Sequence, residues 1–151
     1  MRILDLFCGC GGFSLGFRRV FPEAEIIGVD LDRWACRTYQ RNRVGQAVRA
    51  DVRHLPIRLE QGLFDIIIGG PPCEPFSKVN RIKRGRKHPL WDLVLWFLYY
   101  VIAFHPKVWV MENVPDMLKD PFYGPLFRAL SGEPIQQTLD AYSEVKKSKG
   151  A

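Results

Sequence analysis

An α/β fold built on a doubly wound, mainly parallel sheet is predicted by three features of this 151-residue chain. Short apolar runs alternate with helix-patterned segments, the arrangement of a parallel sheet with crossover helices. A glycine cluster (Gly9, Gly11, Gly12) follows the first run at once. Later runs end on Asp30, Asp51 and Glu112, or on the Gly69-Gly70-Pro71-Pro72-Cys73 segment. In open α/β sheets, ligands and chemistry collect at the carboxyl ends of the strands.

The elements follow in order. Arg2–Phe7 reads as a first buried strand, and a helix with Phe13, Phe17 and Val20 on one face follows before Pro22. Glu25–Val29 is a second strand closing on Asp30, and Asp32 is an N-cap for a helix through Trp34, Ala35, Thr38 and Tyr39. Ala47–Arg49 is a short third strand leading to Asp51, and Phe64–Ile68 is the fourth. The apolar helix Trp91–Phe104 ends at His105-Pro106, and Val108–Met111 is a fifth strand. Beyond Pro115 the pattern is less regular. Leu126, Phe127 and Leu130 suit one helix and Leu139, Tyr142 and Val145 another, with Lys146–Ala151 as a frayed end.

At 47% hydrophobic and 25% charged residues, the composition is that of a globular domain. The longest apolar run, Trp91 to Phe104, is too short to span a bilayer. Cys8, Cys10, Cys36 and Cys73 lack disulfide-framework spacing, and no secretory signal precedes them, which points to a reducing, cytoplasmic setting. Cys8 and Cys10 read as small fillers, Cys36 as packed, and no metal site is expected because His54, His88 and His105 are scattered.

Charge is concentrated. Lys78, Arg81, Lys83, Arg84, Arg86 and Lys87 lie in an acid-free stretch, and without them the bases and acids balance at 16 each. A basic loop just after Cys73 suits a polyanionic substrate, nucleic acid above all. Most charge runs are merely solvated; position beside Cys73 favours the substrate reading.

Cys73 itself reads as a nucleophile. Pro71 and Pro72 fix their own φ and restrict their predecessors, so the loop holds the thiol in a defined direction at a strand end. The glycine loop suits close backbone approach to a nucleotide. Asp30, about 20 residues beyond Gly11, stands where a ribose-hydroxyl acceptor is expected. Asp51 is placed to accept from an adenine amino group. Either acid alone would pass for an ordinary turn residue. No Lys-Ser/Thr pair for a triphosphate follows the glycines. A nucleoside site with a cysteine nucleophile points to S-adenosylmethionine and methyl transfer.

Asp5–Ser14 (DLFCGCGGFS), Asp30, Asp51, Pro71-Pro72-Cys73 with Pro75-Phe76-Ser77, and Glu112-Asn113-Val114 occur in that order. Together they resemble the catalytic half of a C5-cytosine DNA methyltransferase, over residues 1 to about 118. The resemblance implies a Rossmann-like fold lacking its usual C-terminal part. It implies a cofactor-binding and catalytic domain at 1–118, a helical tail at 119–151, and no target-recognition domain. Phe7, Gly9, Gly11 and Pro71 would line the S-adenosylmethionine pocket, with Asp30 on the ribose, Leu31 on the adenine face and Asp51 on its edge. Cys73 would attack carbon 6 of a flipped cytosine while Glu112 supports protonation at N3. Ser77, Lys78, Arg81, Lys83, Arg84, Arg86 and Lys87 would contact DNA.

Two departures accompany the resemblance. Glu74 stands where the family usually has Gln, and Gln136-Gln137 is not followed by suitably spaced arginines. A second polypeptide carrying the missing basic motif and recognition region, or self-association, is therefore expected, in a nucleoid-associated enzyme. Two rival readings share these residues: an RNA cytosine-5 methyltransferase, and a non-catalytic module that binds S-adenosylmethionine and nucleic acid. Ser77 after Phe76 favours DNA in the family pattern, and an intact Cys73 with Glu112 favours catalysis.

Overall fold

The computed structural model describes residues 1–55, 57–77 and 85–131. The chain divides into two compact units, Met1–Pro72 with Asp92–Glu112 and Cys73–Trp91 with Asn113–Ala151. The first unit holds β1 (Arg2–Leu6), α1 (Gly12–Val20), β2 (Glu25–Asp30), α2 (Arg33–Arg41) and β3 (Gln46–Arg49). A 3-10 turn at Val52–His54, then β4 (Ile66–Gly69), α3 (Leu93–Phe104) and β5 (Val108–Met111), complete it. Strand order is β3-β2-β1-β4-β5 with every pairing parallel, as the alternation of runs predicts.

Central strands are apolar because both their faces are covered. Ile3, Leu4 and Leu6 of β1 and Ile67 and Ile68 of β4 are fully buried, whereas Val108 and Val110 of the edge strand β5 are exposed. Phe13, Phe17 and Phe21 pack on a core of Ile3, Ala24, Ile26, Ile66 and Ile68. This corrects the expected α1 face. Val20 is the last helical residue and is 68% exposed, and the ring of Phe21 takes the packing place one residue later.

The apolar helix also starts later than its hydropathy implies. α3 begins at Leu93, with Asp92 at its N-cap position, and Trp91 belongs to the second unit. There the Trp91 indole N–H donates to Asp120 Oδ2 at 3.2 Å and its ring packs against Tyr123. His105, left-handed at φ 49°, closes α3 ahead of Pro106. β4 starts at Ile66, and Phe64 instead packs edge-on against Phe104.

In the second unit, 3-10 turns at Gly85–Lys87 and Pro115–Lys119 precede α4 (Tyr123–Leu130), the helix foreseen around Leu126, Phe127 and Leu130. Phe76, Trp91 and Tyr123 form its aromatic core, with Phe122 at the exposed edge, and the Tyr123 hydroxyl donates to the Trp91 carbonyl at 2.6 Å. The expected helix at Leu139, Tyr142 and Val145 and the expected frayed end lie outside the described residues.

Candidate functional site

Parallel register sets the site. Leu6 is level with Val29 and Gly69, Val29 with Val48, and Gly69 with Met111. These residues form one line across the sheet. One step along each strand lie Asp30, Phe7, Gly70 and Glu112, so both acids stand on the same rim. Three strand spacings separate them, roughly 14 Å.

The first turn beyond β1 is bent at alternate residues. Phe7, Gly9 and Gly11 have φ of 63°, 52° and 93°. That region suits glycine and strains Phe7. Gly9 and Gly11 do different work. A Cβ on Gly9 would meet nothing within 4 Å, so this backbone faces open space. A Cβ on Gly11 would lie 2.7 Å from Val44 Cγ2 and 2.9 Å from the Tyr39 ring. The loop therefore presses on α2 at Gly11 and leaves room at Gly9.

Asp30 braces this turn. Its Oδ2 accepts from the Gly9 N–H at 2.8 Å and its Oδ1 from the Asp32 N–H at 2.9 Å. A carboxylate offers about four acceptor positions, so capacity remains for a vicinal diol. Leu31 follows, 62% exposed, an apolar surface beside the acid. Asp51 caps the Val52–His54 turn, accepting from the Arg53 N–H at 2.9 Å. Glycine backbone facing open space, a diol acceptor, an apolar face and a second acceptor fit a nucleoside such as that of S-adenosylmethionine.

Beneath the loop lies a chain of buried polar groups that the sequence did not reveal. Ser14 Oγ donates to Asp5 Oδ2 at 2.6 Å and lies 2.7 Å from the Tyr39 hydroxyl. Asp5 Oδ1 is buried without a partner. Burial pushes the Asp5 carboxyl up to about 7, against the lowering effect of its Ser14 bond, and burial also raises the Tyr39 phenol and the Cys8 thiol. Cys8 and Cys36 are buried as expected, whereas Cys10 is exposed. Arg53 and Asp92 were likewise missed; residues 39 apart in sequence carry no local signal of their pairing.

At the other end of the rim, Glu112 is exposed and its N–H donates to the Gly69 carbonyl at 3.0 Å. Its carboxylate lies over Gly70, where a Cβ would come within 3.5 Å of Oε2. Pro71 is buried. In the second unit, Cys73 is a partly buried free thiol whose carbonyl accepts the N–H groups of Phe76 and Ser77, both at 2.9 Å. Ser77 is half-buried. The Gly85 N–H donates to the Pro75 carbonyl at 2.8 Å. Arg86 is exposed, its guanidinium 5.3 Å from the Trp91 ring and 5.7 Å from Phe122, and Lys87 is exposed. Lys78, Arg81, Lys83 and Arg84 lie outside the described residues.

A parallel sheet in this order, with a glycine turn after β1, has the architecture of methyltransferases that use S-adenosylmethionine. The chain superposes on the plantazolicin methyltransferase BpumL in complex with a pentazolic desmethylPZN analog and SAH with a TM-score of 0.55 at 15% identity, over 97% of this chain and 53% of that one. For TrmN from Thermus thermophilus the TM-score is 0.54 at 25% identity, over 76% and 33%.

The family described as C-5 cytosine-specific DNA methylase matches residues 1–129, and the chain belongs to it. It is 37% identical over 117 residues to the type II methyltransferase M.HgiGI of Herpetosiphon aurantiacus, covering 76% of this chain and 90% of that protein. To M.DdeI of Desulfomicrobium norvegicum it is 41% identical over 122 residues, covering 78% and 29%. To M.NlaX of Neisseria lactamica it is 30% identical over 149 residues, covering 98% and 47%. The chain thus spans under half the length of the last two. Among the described residues, no helix is long and apolar enough to cross a membrane.

Proposed function

We propose that this chain carries the cofactor-binding and catalytic residues of a DNA (cytosine-5-)-methyltransferase working inside the cell on nucleoid DNA. The line across the sheet supports this reading most directly. It puts Asp30, the strained Phe7 turn, Gly70 and Glu112 along one rim, with the Pro71-Pro72-Cys73 segment issuing from β4.

In this reading Gly9, Gly11, Phe7 and Pro71 enclose S-adenosylmethionine, Asp30 takes its ribose hydroxyls, Leu31 its adenine face and Asp51 its amino group. The cofactor supplies the methyl group. Cys73 adds its sulfur to carbon 6 of a cytosine flipped from the duplex, while Glu112 supports a proton at N3 so that charge does not build up on the ring. Carbon 5, made electron-rich, takes the methyl. Loss of the carbon-5 proton then breaks the carbon–sulfur bond and restores the base. Ser77, Arg86 and Lys87, with Lys78, Arg81, Lys83 and Arg84, hold the DNA backbone. Segments that the longer relatives possess supply target recognition, in the same polypeptide or in a second one.

The test is methyl transfer from labelled S-adenosylmethionine to mixed genomic DNA and tRNA, comparing the chain with Cys73→Ala. Label in DNA that depends on Cys73 is expected, with or without a complementing polypeptide. Label confined to tRNA would move the activity to RNA. No label under either condition, and no covalent adduct with 5-fluorocytosine duplex, would leave a binding module.

A further inference from the structure

We propose that α2 is a second nucleic-acid contact surface, one that grips phosphodiester backbone at the β3 side of the sheet. Residues 33–49 hold five arginines, Arg33, Arg37, Arg41, Arg43 and Arg49, and no acid. All five are exposed, and none pairs with a carboxylate among the described residues. The nearby Asp32 is committed to capping α2 through the N–H groups of Trp34 and Ala35.

Three of the arginines repeat every fourth residue, so Arg33, Arg37 and Arg41 share one face of α2 along about 12 Å of helix. Phosphates on one DNA strand advance about 3.4 Å each along the duplex axis, so such a stripe spans about three. A solvated charge run has no need of an exposed aromatic set between two of its cations. Here Trp34 is 61% exposed, with the Arg33 guanidinium 4.8 Å and the Arg37 guanidinium 4.9 Å from its ring. Stacking on a ring restrains a guanidinium while leaving its N–H edge free for bidentate bonding to phosphate. Trp34 thus pre-positions two cations, lowering the entropy lost when they engage a polyanion.

The surface is separate in sequence from the basic stretch at 78–87. α2 connects β2 to β3, an edge strand three places from β4, the strand that leads into the cysteine segment. It needs neither cofactor nor methyl transfer, so its failure is separable from that of the catalytic reading. It also escapes a count of net charge, because acids elsewhere in the chain balance its arginines.

The experiment is equilibrium binding of the full chain to a fluorescent mixed-sequence duplex of 30 base pairs, titrated from 50 to 300 mM salt. The variant Arg33→Gln/Arg37→Gln/Arg41→Gln keeps strong helix formers on an exposed face, and an unchanged melting temperature verifies its fold. Expected is tenfold or greater weakening at 100 mM salt, with the log–log salt slope shallower by about 2–3. Trp34→Ala is expected to weaken binding severalfold with little change of slope, since no charge is removed. Unchanged affinity and slope in the triple variant would overturn the proposal. So would failure of the wild-type chain to bind duplex, or arginine-dependent binding only to phosphatidylserine vesicles. Arg19→Gln, on the exposed last turn of α1, serves as the reference variant, with duplex affinity within twofold of wild type.

Discussion

Arg53 grips Asp92 with two hydrogen bonds, Nε to Oδ2 at 3.0 Å and Nη2 to Oδ1 at 2.7 Å. The same guanidinium stands 3.6 Å from Asp51 Oδ2, and Asp92 also accepts from the Trp96 indole at 3.2 Å. One arginine therefore ties the turn after β3 to the start of α3. Arg53→Ala is expected to cost about 1 kcal/mol in urea unfolding, since the pair is partly exposed and screened. The Arg53 bond also holds the Asp92 carboxyl below its ordinary range. This contribution is present above the unfolded-state value of a carboxyl and fades as pH falls through the depressed one; the wild-type and variant stability curves should converge in acid.

Asp5 predicts the opposite pH dependence. Its pKa in the fold, about 7, lies above the 3.8 of an unperturbed side chain, so the folded state holds a proton that the unfolded chain releases. Stability is expected to fall as pH rises from about 4 to 7 and then level off, by on the order of a few kcal/mol. Asp5→Asn should flatten that slope. Urea melts at intervals between pH 4.5 and 8.5 measure it, and an equal slope in both proteins would refute the assignment to Asp5.

Gly11→Ala tests the pressed side of the loop. The new methyl would meet Val44 and Tyr39 at a backbone φ of 93°, so clash and strain act together. The expected cost is about 2–4 kcal/mol, read as a lower urea midpoint with unchanged m-value. Gly9→Ala, with φ of 52° but open space around it, should cost less stability. It should weaken S-adenosylhomocysteine binding, because its methyl enters the proposed ligand space.

Asp30→Asn alters two roles at once. The amide can accept through one oxygen only, whereas Asp30 now uses both against the Gly9 and Asp32 N–H groups. Calorimetry with S-adenosylhomocysteine should show at least tenfold weaker binding. Affinity within twofold of wild type would remove Asp30 from the proposed site.

What the sequence could disclose followed from local periodicity and strand-end chemistry. Asp30, Asp32 and Glu112 sit where strand or helix boundaries placed them, because a buried apolar run must end where polar backbone reaches solvent. Val20 and Trp91 went astray for a shared reason: hydropathy measures transfer from water and is silent on which neighbour receives the side chain. Phe21 outbid Val20 at the end of α1, and Asp120 with Tyr123 drew Trp91 out of α3. The Asp5–Ser14–Tyr39 chain and the Arg53–Asp92 pair are tertiary, joining residues 9, 25 and 39 positions apart, and no short window contains them. The arginine stripe of α2 was readable by helical spacing and was masked by counting charge over the whole chain.

The common line through Val48, Val29, Leu6, Gly69 and Met111 makes strand length a quantised property of this protein. Deleting one residue inside β2 would turn its side chains to the opposite faces and pull Asp30 back from the rim, a double fault that no single substitution repairs. Change along this edge is thereby channelled. Residues at the rim can be exchanged one for another, and whole connections can lengthen, but the strands between them admit no small increments.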